Sequence, residues 1–200
     1  MLKVGITGGI GSGKTTVAGI FKSLGIPTFH SDDEAKKCYS THPEVQHEIV
    51  ELLGSEAYDE SGRPNFGFIA ERVFAEESLL KQVNALIHPL VAQEFEYWCK
   101  TQQQALYVLK EAAILVETGA NKALDALVVV EAPEELRIER VMRRSYQRRE
   151  SVEARIRSQV AIHDALELAD FRIVNDGKQA LIPQVLSIHA QLIERSKKHQ

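Results

Sequence analysis

Residues 3–15 read KVGITGGIGSGKT, a short apolar run that passes into a glycine-rich loop ending in lysine and threonine. Gly8 to Thr15 fit the pattern G-x-x-x-x-G-K-[ST] in full, and an amphipathic helical pattern follows, as that motif requires. Glycines let successive backbone N–H groups surround a phosphate, and the start of the next helix adds partial positive charge. The stretch therefore predicts a phosphate-binding loop between a strand and a helix.

This loop predicts a site for a nucleoside triphosphate with Mg²⁺. Lys14 supplies a point charge for the β- and γ-phosphates, and Thr15 offers a hydroxyl to Mg²⁺. A glycine-rich turn with no ligand, the purely structural alternative, would not need Lys-Thr after its last glycine. The expected nucleotide contacts come from Gly9, Ile10, Gly11, Ser12, Gly13, Lys14, Thr15 and Thr16.

Four further apolar runs follow the first, and helical periodicity separates them. Several are almost continuous in apolar residues, as expected for parallel strands that are buried on both faces. Strand, helix and strand within about 30 residues form a βαβ unit. The chain is therefore predicted to be an α/β protein, with a five-stranded parallel sheet flanked by helices. The predicted strands are residues 3–7, 26–30, 106–110, 126–131 and 171–174.

The uneven spacing of the strands predicts two excursions from the sheet within a single domain of residues 1–200. Residues 35–104 are predicted to be a helical acceptor-binding insertion, and the arginine-rich residues 134–169 a closing lid. The core would then comprise residues 1–34, 105–133 and 170–200. The expected helices outside the lid include 42–53, 68–76, 78–104 with a break near Pro89, and 179–197.

Composition argues against a nucleic-acid or membrane partner. Twenty-four Lys and Arg against 28 Asp and Glu give a net charge of −4, whereas proteins that wrap nucleic acid usually have the opposite balance. No apolar run is long enough to span a bilayer, and the first residues do not resemble a secretion signal. Cys38 and Cys99 have no metal-site spacing and predict reduced thiols. We expect a cytoplasmic monomer or weak homo-oligomer.

Two carboxylates come directly after predicted strands, at the edge where a parallel sheet binds its ligands. Asp32 would accept the proton of an acceptor hydroxyl or hold Mg²⁺ through water. Alternatively, Asp32 or Ser31 would cap a helix at residues 33–38. Glu111 would orient Mg²⁺, or it would be an ordinary carboxylate at the end of a strand.

The segment from Arg137 to Arg157 contains eight arginines. Arg140 and Arg144 are four residues apart, so they lie on the same face of a helix. Two guanidinium groups on one face would clamp a γ-phosphate during its transfer. The alternatives are a solvated helix face and an RNA-binding patch. The net negative charge of the chain and the lack of interleaved aromatic residues argue against RNA.

These features favour a kinase of a small metabolite among the proteins that have such a loop. A GTPase would carry the guanine-reading pattern N-K-x-D, which does not occur in this sequence. The alternatives are a kinase of a nucleoside or small alcohol, and a nucleotide-binding switch. Asp32, Arg140 and Arg144 favour a transferase, because a switch needs no base on the acceptor side.

Several segments match the motifs of one family in order along nearly the whole chain. They are GITGGIGSGKTTVA at 5–18, SDDEAKK at 31–37, NALIHPLV at 84–91, EAAILVETG at 111–119, RVMRR at 140–144, Gln159, and LADFRIVNDG at 168–177. The chain resembles the dephospho-CoA kinases, a family with the P-loop kinase fold.

The resemblance implies that ATP phosphorylates the ribose 3′-hydroxyl of dephospho-CoA in the last step of coenzyme A biosynthesis. It implies a role for each residue that matches a family motif, although His88 could otherwise cap a helix and the segment around Asn175 could be only a turn. The implied residues are Asp32, Lys14, Arg140 and Arg144 for catalysis; His88, Pro89, Leu115 and Glu117 for the acceptor; Asn175 and Gly177 near adenine; and Thr15 and Glu111 for Mg²⁺.

Four positions depart from the family pattern. His30 replaces the first Asp of the family's D-A-D segment, so Asp32 would act without a neighbouring carboxylate. Ala113 replaces a Pro in the segment after the third strand. Phe66 stands where a basic residue is expected, and Ser145 replaces the Asp after the second lid arginine.

Overall fold

Five parallel strands form the central sheet of a computed structural model that describes residues 1–145, 148–157 and 162–198. The chain divides into two units, of which the first comprises residues 1–30 and 102–200 and contains the whole sheet. The strands lie in the order β2-β3-β1-β4-β5, so the strand that precedes the glycine-rich loop is central. Their bounds are β1 Leu2–Thr7, β2 Thr28–His30, β3 Tyr107–Glu111, β4 Ala126–Glu131 and β5 Phe171–Val174.

The predicted five-stranded parallel sheet is confirmed, with small differences at the strand ends. β2 begins at Thr28 rather than at residue 26, because Pro27 has no N–H for a ladder hydrogen bond. The Pro27 carbonyl still accepts a hydrogen bond from Leu109 N at 2.9 Å. β3 extends one residue further than predicted and ends at Glu111, which places this carboxylate at the carboxyl edge of the sheet.

Helices cover both faces of the sheet. On one face, α1 (Lys14–Ser23) and α9 (Leu181–Lys197) contribute to a core with the buried side chains of the strands. On the other face, Leu115 and Ala165 pack with Val129 of β4. Burial on both faces explains why the strands are apolar almost throughout.

The arginine-rich region consists of α6 (Glu134–Ser145), α7 (Arg149–Arg157) and α8 (Ile162–Glu167). Ile138 and Val141 of α6 pack with Val152 of α7 in a small apolar cluster. The motif residue Gln159 lies outside the described residues. That this region acts as a lid stays a prediction.

The second unit, residues 31–101, is helical. It contains α2 (Ser31–Thr41), α3 (Pro43–Leu53), α4 (Phe66–Ala75) and α5 (Glu77–Thr101). Its limits are close to those predicted for the helical insertion, whose acceptor-binding role stays a prediction. No helix in the described parts of either unit is long and apolar enough to cross a bilayer.

The predicted break near Pro89 is wrong, because α5 continues through it. A row of side chains spaced four residues apart is buried along the helix and fixes it on both sides of the proline. Pro89 lies on the exposed side of the helix, as does Ala85, whose carbonyl loses its usual donor to the proline. The buried row is Val83, Ile87, Val91, Phe95 and Cys99.

Candidate active site

The glycine-rich loop connects β1 to α1, and other parts of the first unit approach it so closely that side chains are excluded. Gly13 has φ 91°, and a Cβ there would lie 2.2 Å from Asn175 Nδ2. Gly11 has φ 79°, and its Cβ would lie 2.4 Å from the backbone oxygen of Arg137. Both positions therefore need glycine for their backbone conformation and for the space around them.

Asn175 and Arg140 brace this loop from the side. Asn175 Nδ2 donates to the Ser12 carbonyl at 2.7 Å, and Arg140 Nη2 donates to Asn175 Oδ1 at 3.1 Å. A longer contact of 3.5 Å joins Arg140 Nη1 to the Gly11 carbonyl. The structure thus brings together two residues that the sequence placed in different roles, and Asn175 is more than part of a turn.

The first helical residue after the loop is Lys14, with Gly13 in the N-cap position. No side chain caps this helix start, so the first N–H groups of α1 remain available to an anion. The loop also curls on itself, since Ser12 N donates to the Gly9 carbonyl at 3.0 Å. This is an arrangement that suits a bound phosphate.

Glu111 occupies the carboxyl edge of the sheet and joins two neighbouring elements. The strand register pairs Glu111 with His30 of β2, so the two side chains leave the sheet on the same side. His30 Nδ1 lies 2.5 Å from Glu111 Oε2, and Thr15 Oγ1 donates to Glu111 Oε1 at 2.6 Å. Glu111 is buried, and each of its carboxylate oxygens has a partner, so the carboxylate is fixed in position.

The Thr15 hydroxyl and the Glu111 carboxylate are the hard oxygen donors that Mg²⁺ prefers. No group of three or more His, Cys, Asp or Glu side chains suited to a metal occurs in the described part of the chain. A donor set of only two protein oxygens fits Mg²⁺, which is usually held by one or two protein groups together with phosphates and water.

Asp32 belongs to the first turn of α2, in the second unit. The helix begins at Ser31, so the alternative that Ser31 or Asp32 caps a helix starting at residue 33 is wrong. Asp32, Asp33 and Glu34 together place negative charge at the helix N-terminus, where it is favourable. The catalytic role of Asp32 stays a prediction.

The residues assigned to the acceptor lie in different environments. His88 is in the middle of α5, so the helix-capping alternative is wrong, and Pro89 follows it on the same helix. Glu117 is exposed after β3. Leu115 is only 1% exposed and packs in the core on one face of the sheet. Core packing alone therefore explains an apolar residue at this position. Their acceptor-binding roles stay predictions.

Gly177 has φ 80°, in a turn where Asp176 accepts hydrogen bonds from Lys178 N and Gln179 N, each at 2.9 Å. The turn alternative therefore describes this part of the segment well, while Asn175, just before it, reaches the loop. Proximity of either residue to adenine stays a prediction.

The departures from the family pattern have local partners. Phe66 packs edge-on against Tyr39, with ring centroids 5.4 Å apart. The Ala113 carbonyl accepts from Thr7 Oγ1 at 3.4 Å. Ser145 Oγ donates to the Val141 carbonyl at 2.7 Å within α6. The Phe66 and Ser145 side chains thus have partners within their own units, whereas the contact of Ala113 uses its backbone.

The predicted pair of lid arginines shares α6, but the two differ in environment. Arg140 is held beside the loop, whereas Arg144 is exposed. Arg137, which had no separate role among the eight arginines of the sequence, is buried, with its guanidinium against Gly9. One signal was present: Arg137 directly precedes Ile138 and lies four residues before Val141, and both of those apolar side chains face inward.

Comparison with known proteins gives one consistent family. The family described as dephospho-CoA kinase (CoaE) matches residues 2–180. A dephospho-CoA kinase of Bacteroides fragilis strain YCH46 is 40% identical over 194 residues, which cover 97% of this chain and 94% of that protein.

Solved structures agree with the fold. TT1252 from Thermus thermophilus is 32% identical with a TM-score of 0.83, over 96% of this chain and 97% of that one. A dephospho-CoA kinase from Campylobacter jejuni, 23% identical with a TM-score of 0.70, covers 99% of this chain and 98% of its own, and it supports the fold alone.

Proposed function

The chain belongs to the dephospho-CoA kinase family, and on that premise we propose that it transfers the γ-phosphoryl group of ATP to the ribose 3′-hydroxyl of dephospho-CoA. The products are CoA and ADP, and the reaction is the last step of coenzyme A biosynthesis. The observation that carries the proposal is the family match over residues 2–180, which includes the complete phosphate loop.

ATP is proposed to bind along residues 9–16, with Lys14 at the β- and γ-phosphates. Asn175 and Gly177 are proposed to lie near adenine. The contact of Asn175 with the Ser12 carbonyl supports a position of Asn175 next to the bound nucleotide. Thr15 and Glu111 would hold Mg²⁺, whose charge, when it is bound, neutralises the phosphate oxygens during transfer.

Asp32 is proposed to accept the proton of the 3′-hydroxyl as that oxygen attacks the γ-phosphorus. The support is its position in the chain, two residues beyond the His30 that ends β2, and its match to the family's aspartate. Because no second carboxylate precedes it at residue 30, Asp32 acts as a single base.

The acceptor is proposed to contact residues 35–104, including His88 and Pro89, and the segment with Leu115 and Glu117. Residues 134–169 are proposed to close over the nucleotide. We further propose that the protein works in the cytoplasm as a monomer or weak homo-oligomer without nucleic-acid or membrane partners. The acidic charge balance supports the exclusion of nucleic acid.

The experiment that tests the activity is coupled detection of ADP with and without dephospho-CoA. We expect ADP release to depend on dephospho-CoA and to saturate with it. Parallel reactions with adenosine, and with a small alcohol such as shikimate, test the narrower choice of acceptor. Release that is independent of any acceptor would instead indicate a nucleotide-hydrolysing switch.

Arg144→Ala is expected to lower kcat more than it raises the KM for ATP, because we assign its guanidinium to charge that develops during transfer. Arg143→Ala is the matched control, since Arg143 is an exposed arginine in the same last turn of α6. Equal rates for the two variants would assign Arg144 to a solvated helix face.

His30 is expected to support Mg²⁺ binding by holding Glu111. An Asn side chain places a donor where Nδ1 of His lies, whereas Gln places one near Nε2. His30→Asn should therefore keep the Mg²⁺ dependence of ADP binding, and His30→Gln should weaken it by about 10- to 100-fold, as for other groups that orient metal ligands. Calorimetric titration of ADP at graded Mg²⁺ measures this without turnover.

The control for this pair is His163→Gln, because His163 is an exposed histidine that pairs with Glu167 at 3.2 Å in α8. It should not change the Mg²⁺ dependence. If His30→Gln matches this control, His30 has no part in positioning Glu111 for the metal.

A further inference from the structure

Arg137 is a buried cation that the fold holds against the phosphate loop. It belongs to the N-terminal half of α6 and is only 7% exposed. A Cβ built on Gly9 would lie 2.4 Å from Arg137 Nη1 and 2.9 Å from its Cζ. The guanidinium therefore lies directly beside the loop backbone, and α6 cannot move away without releasing it.

One nitrogen of this guanidinium lacks a polar partner in the part of the chain that the structure describes. Within residues 1–145, 148–157 and 162–198, Arg137 Nε is buried and has no hydrogen-bond partner. Burial lowers the pKa of Arg137, and the carboxylate of Glu134, one turn earlier, offsets that only in part. A buried polar nitrogen without a partner is unfavourable, so this guanidinium can take a further hydrogen-bond acceptor.

Two carboxylates of α6 and α7 pair with Arg149. Arg149 Nη2 donates to both oxygens of Glu135, at 2.6 and 2.8 Å, and Arg149 Nε donates to Glu153 at 2.7 Å. Residues 8–15 contain Lys14 and no carboxylate. The start of α1 adds partial positive charge to this loop, and the carboxylate of Glu111 contacts it at Thr15.

We propose that Arg137 is a phosphate-binding residue whose guanidinium binds the terminal phosphate of the nucleotide beside Gly9. The planar fork of a guanidinium matches the oxygens of a phosphate, which a single ammonium group cannot do. The inference rests on the nucleotide site of the proposed function. It adds to that site a third arginine, one that is already in place before a nucleotide binds.

A residue that only packs beneath the loop would behave differently from a phosphate ligand. Removing a packing residue lowers the stability of the empty protein. Removing a buried cation that has a nitrogen without a partner leaves that stability unchanged or raises it, while the affinity for the anion falls. A packing role therefore predicts a lower Tm for the nucleotide-free variant. A phosphate-binding role predicts an unchanged or higher Tm together with weaker binding of the anion.

The test compares Arg137→Met with Arg143→Met, which removes an exposed arginine from the same helix. Isothermal calorimetry gives the Kd for the non-hydrolysable analogue AMP-PNP with Mg²⁺, and thermal unfolding of the nucleotide-free proteins gives Tm. We expect Arg137→Met to raise Kd at least about tenfold, the effect of losing a hydrogen-bonded charge, with Tm unchanged or higher. Arg143→Met should change neither. A smaller rise in Kd overturns the proposal.

If Arg137→Met does not fold, Arg137→Gln decides by the same Kd criterion, because it keeps much of the side-chain length without the charge. Failure of both variants to fold overturns the proposal, since the guanidinium would then be needed by the fold itself. The assay contains no acceptor. Wild-type protein that binds AMP-PNP but forms no CoA would therefore contradict the proposed function alone.

Discussion

Lys14→Ala is expected to lower kcat by at least about two to three orders of magnitude, as when other electrostatic contacts to developing charge are removed. Lys14 is the first residue of α1, directly after the glycine-rich loop. The loop conformation depends on its glycines and on the hydrogen bonds around Ser12, none of which uses the Lys14 side chain. The fold should therefore survive, and steady-state kinetics with dephospho-CoA measures the loss.

The control for Lys14→Ala is Lys22→Ala, because Lys22 is an exposed lysine in the last turn of the same helix. Its rate should equal that of the wild type. Near-normal turnover by Lys14→Ala, with circular dichroism showing a folded protein, would mean that the loop is not where the phosphoryl group is transferred.

Asp32→Asn is expected to lower the acceptor-dependent rate by about 10²–10⁴-fold, the usual effect of losing a general base. The loss would be smaller if the transition state is loose, because the hydroxyl then gives up its proton late. Asn keeps the size of Asp and one acceptor oxygen, but it cannot take the proton.

Asp33→Asn is a closely matched control, since Asp33 is the next residue in the same first turn of α2. Each substitution removes one negative charge from the helix N-terminus, which is worth about 0.3–1 kcal/mol. The two variants should therefore have similar Tm values but very different rates. Equal rates would leave Asp32 only its favourable position at the helix start.

The sheet was predictable because its strands are apolar on both faces and because glycines follow the first of them. Thr15 and Glu111 were assigned to one Mg²⁺ site from the sequence, but the contact of Glu111 with His30 was not predictable, since it depends on strand order. β2 and β3 are neighbours in a sheet where β1 and β2 are not, and this order sets His30 opposite Glu111. Residues 30 and 111 carry no sign of that pairing in the sequence.

The burial of Arg137 and the unbroken helix at Pro89 could not be predicted from the sequence either. Eight arginines in one segment look alike, and only packing separates a buried guanidinium from solvated ones. A proline in the interior of a helical pattern suggests a break, but the buried row along α5 outweighs one lost hydrogen bond on the exposed side. In both cases tertiary contacts decide what local sequence leaves open.

The proposed activity is tested by the identity of the product formed from ATP and dephospho-CoA. Purified protein is incubated with both compounds and Mg²⁺, and the product is analysed by mass spectrometry and ³¹P NMR. We predict one added phosphate on the ribose 3′-oxygen, formed in equal amount with ADP, and a product that chromatographs with authentic CoA. ADP formed without any phosphorylated dephospho-CoA, or a phosphate on another oxygen, would contradict the proposed activity.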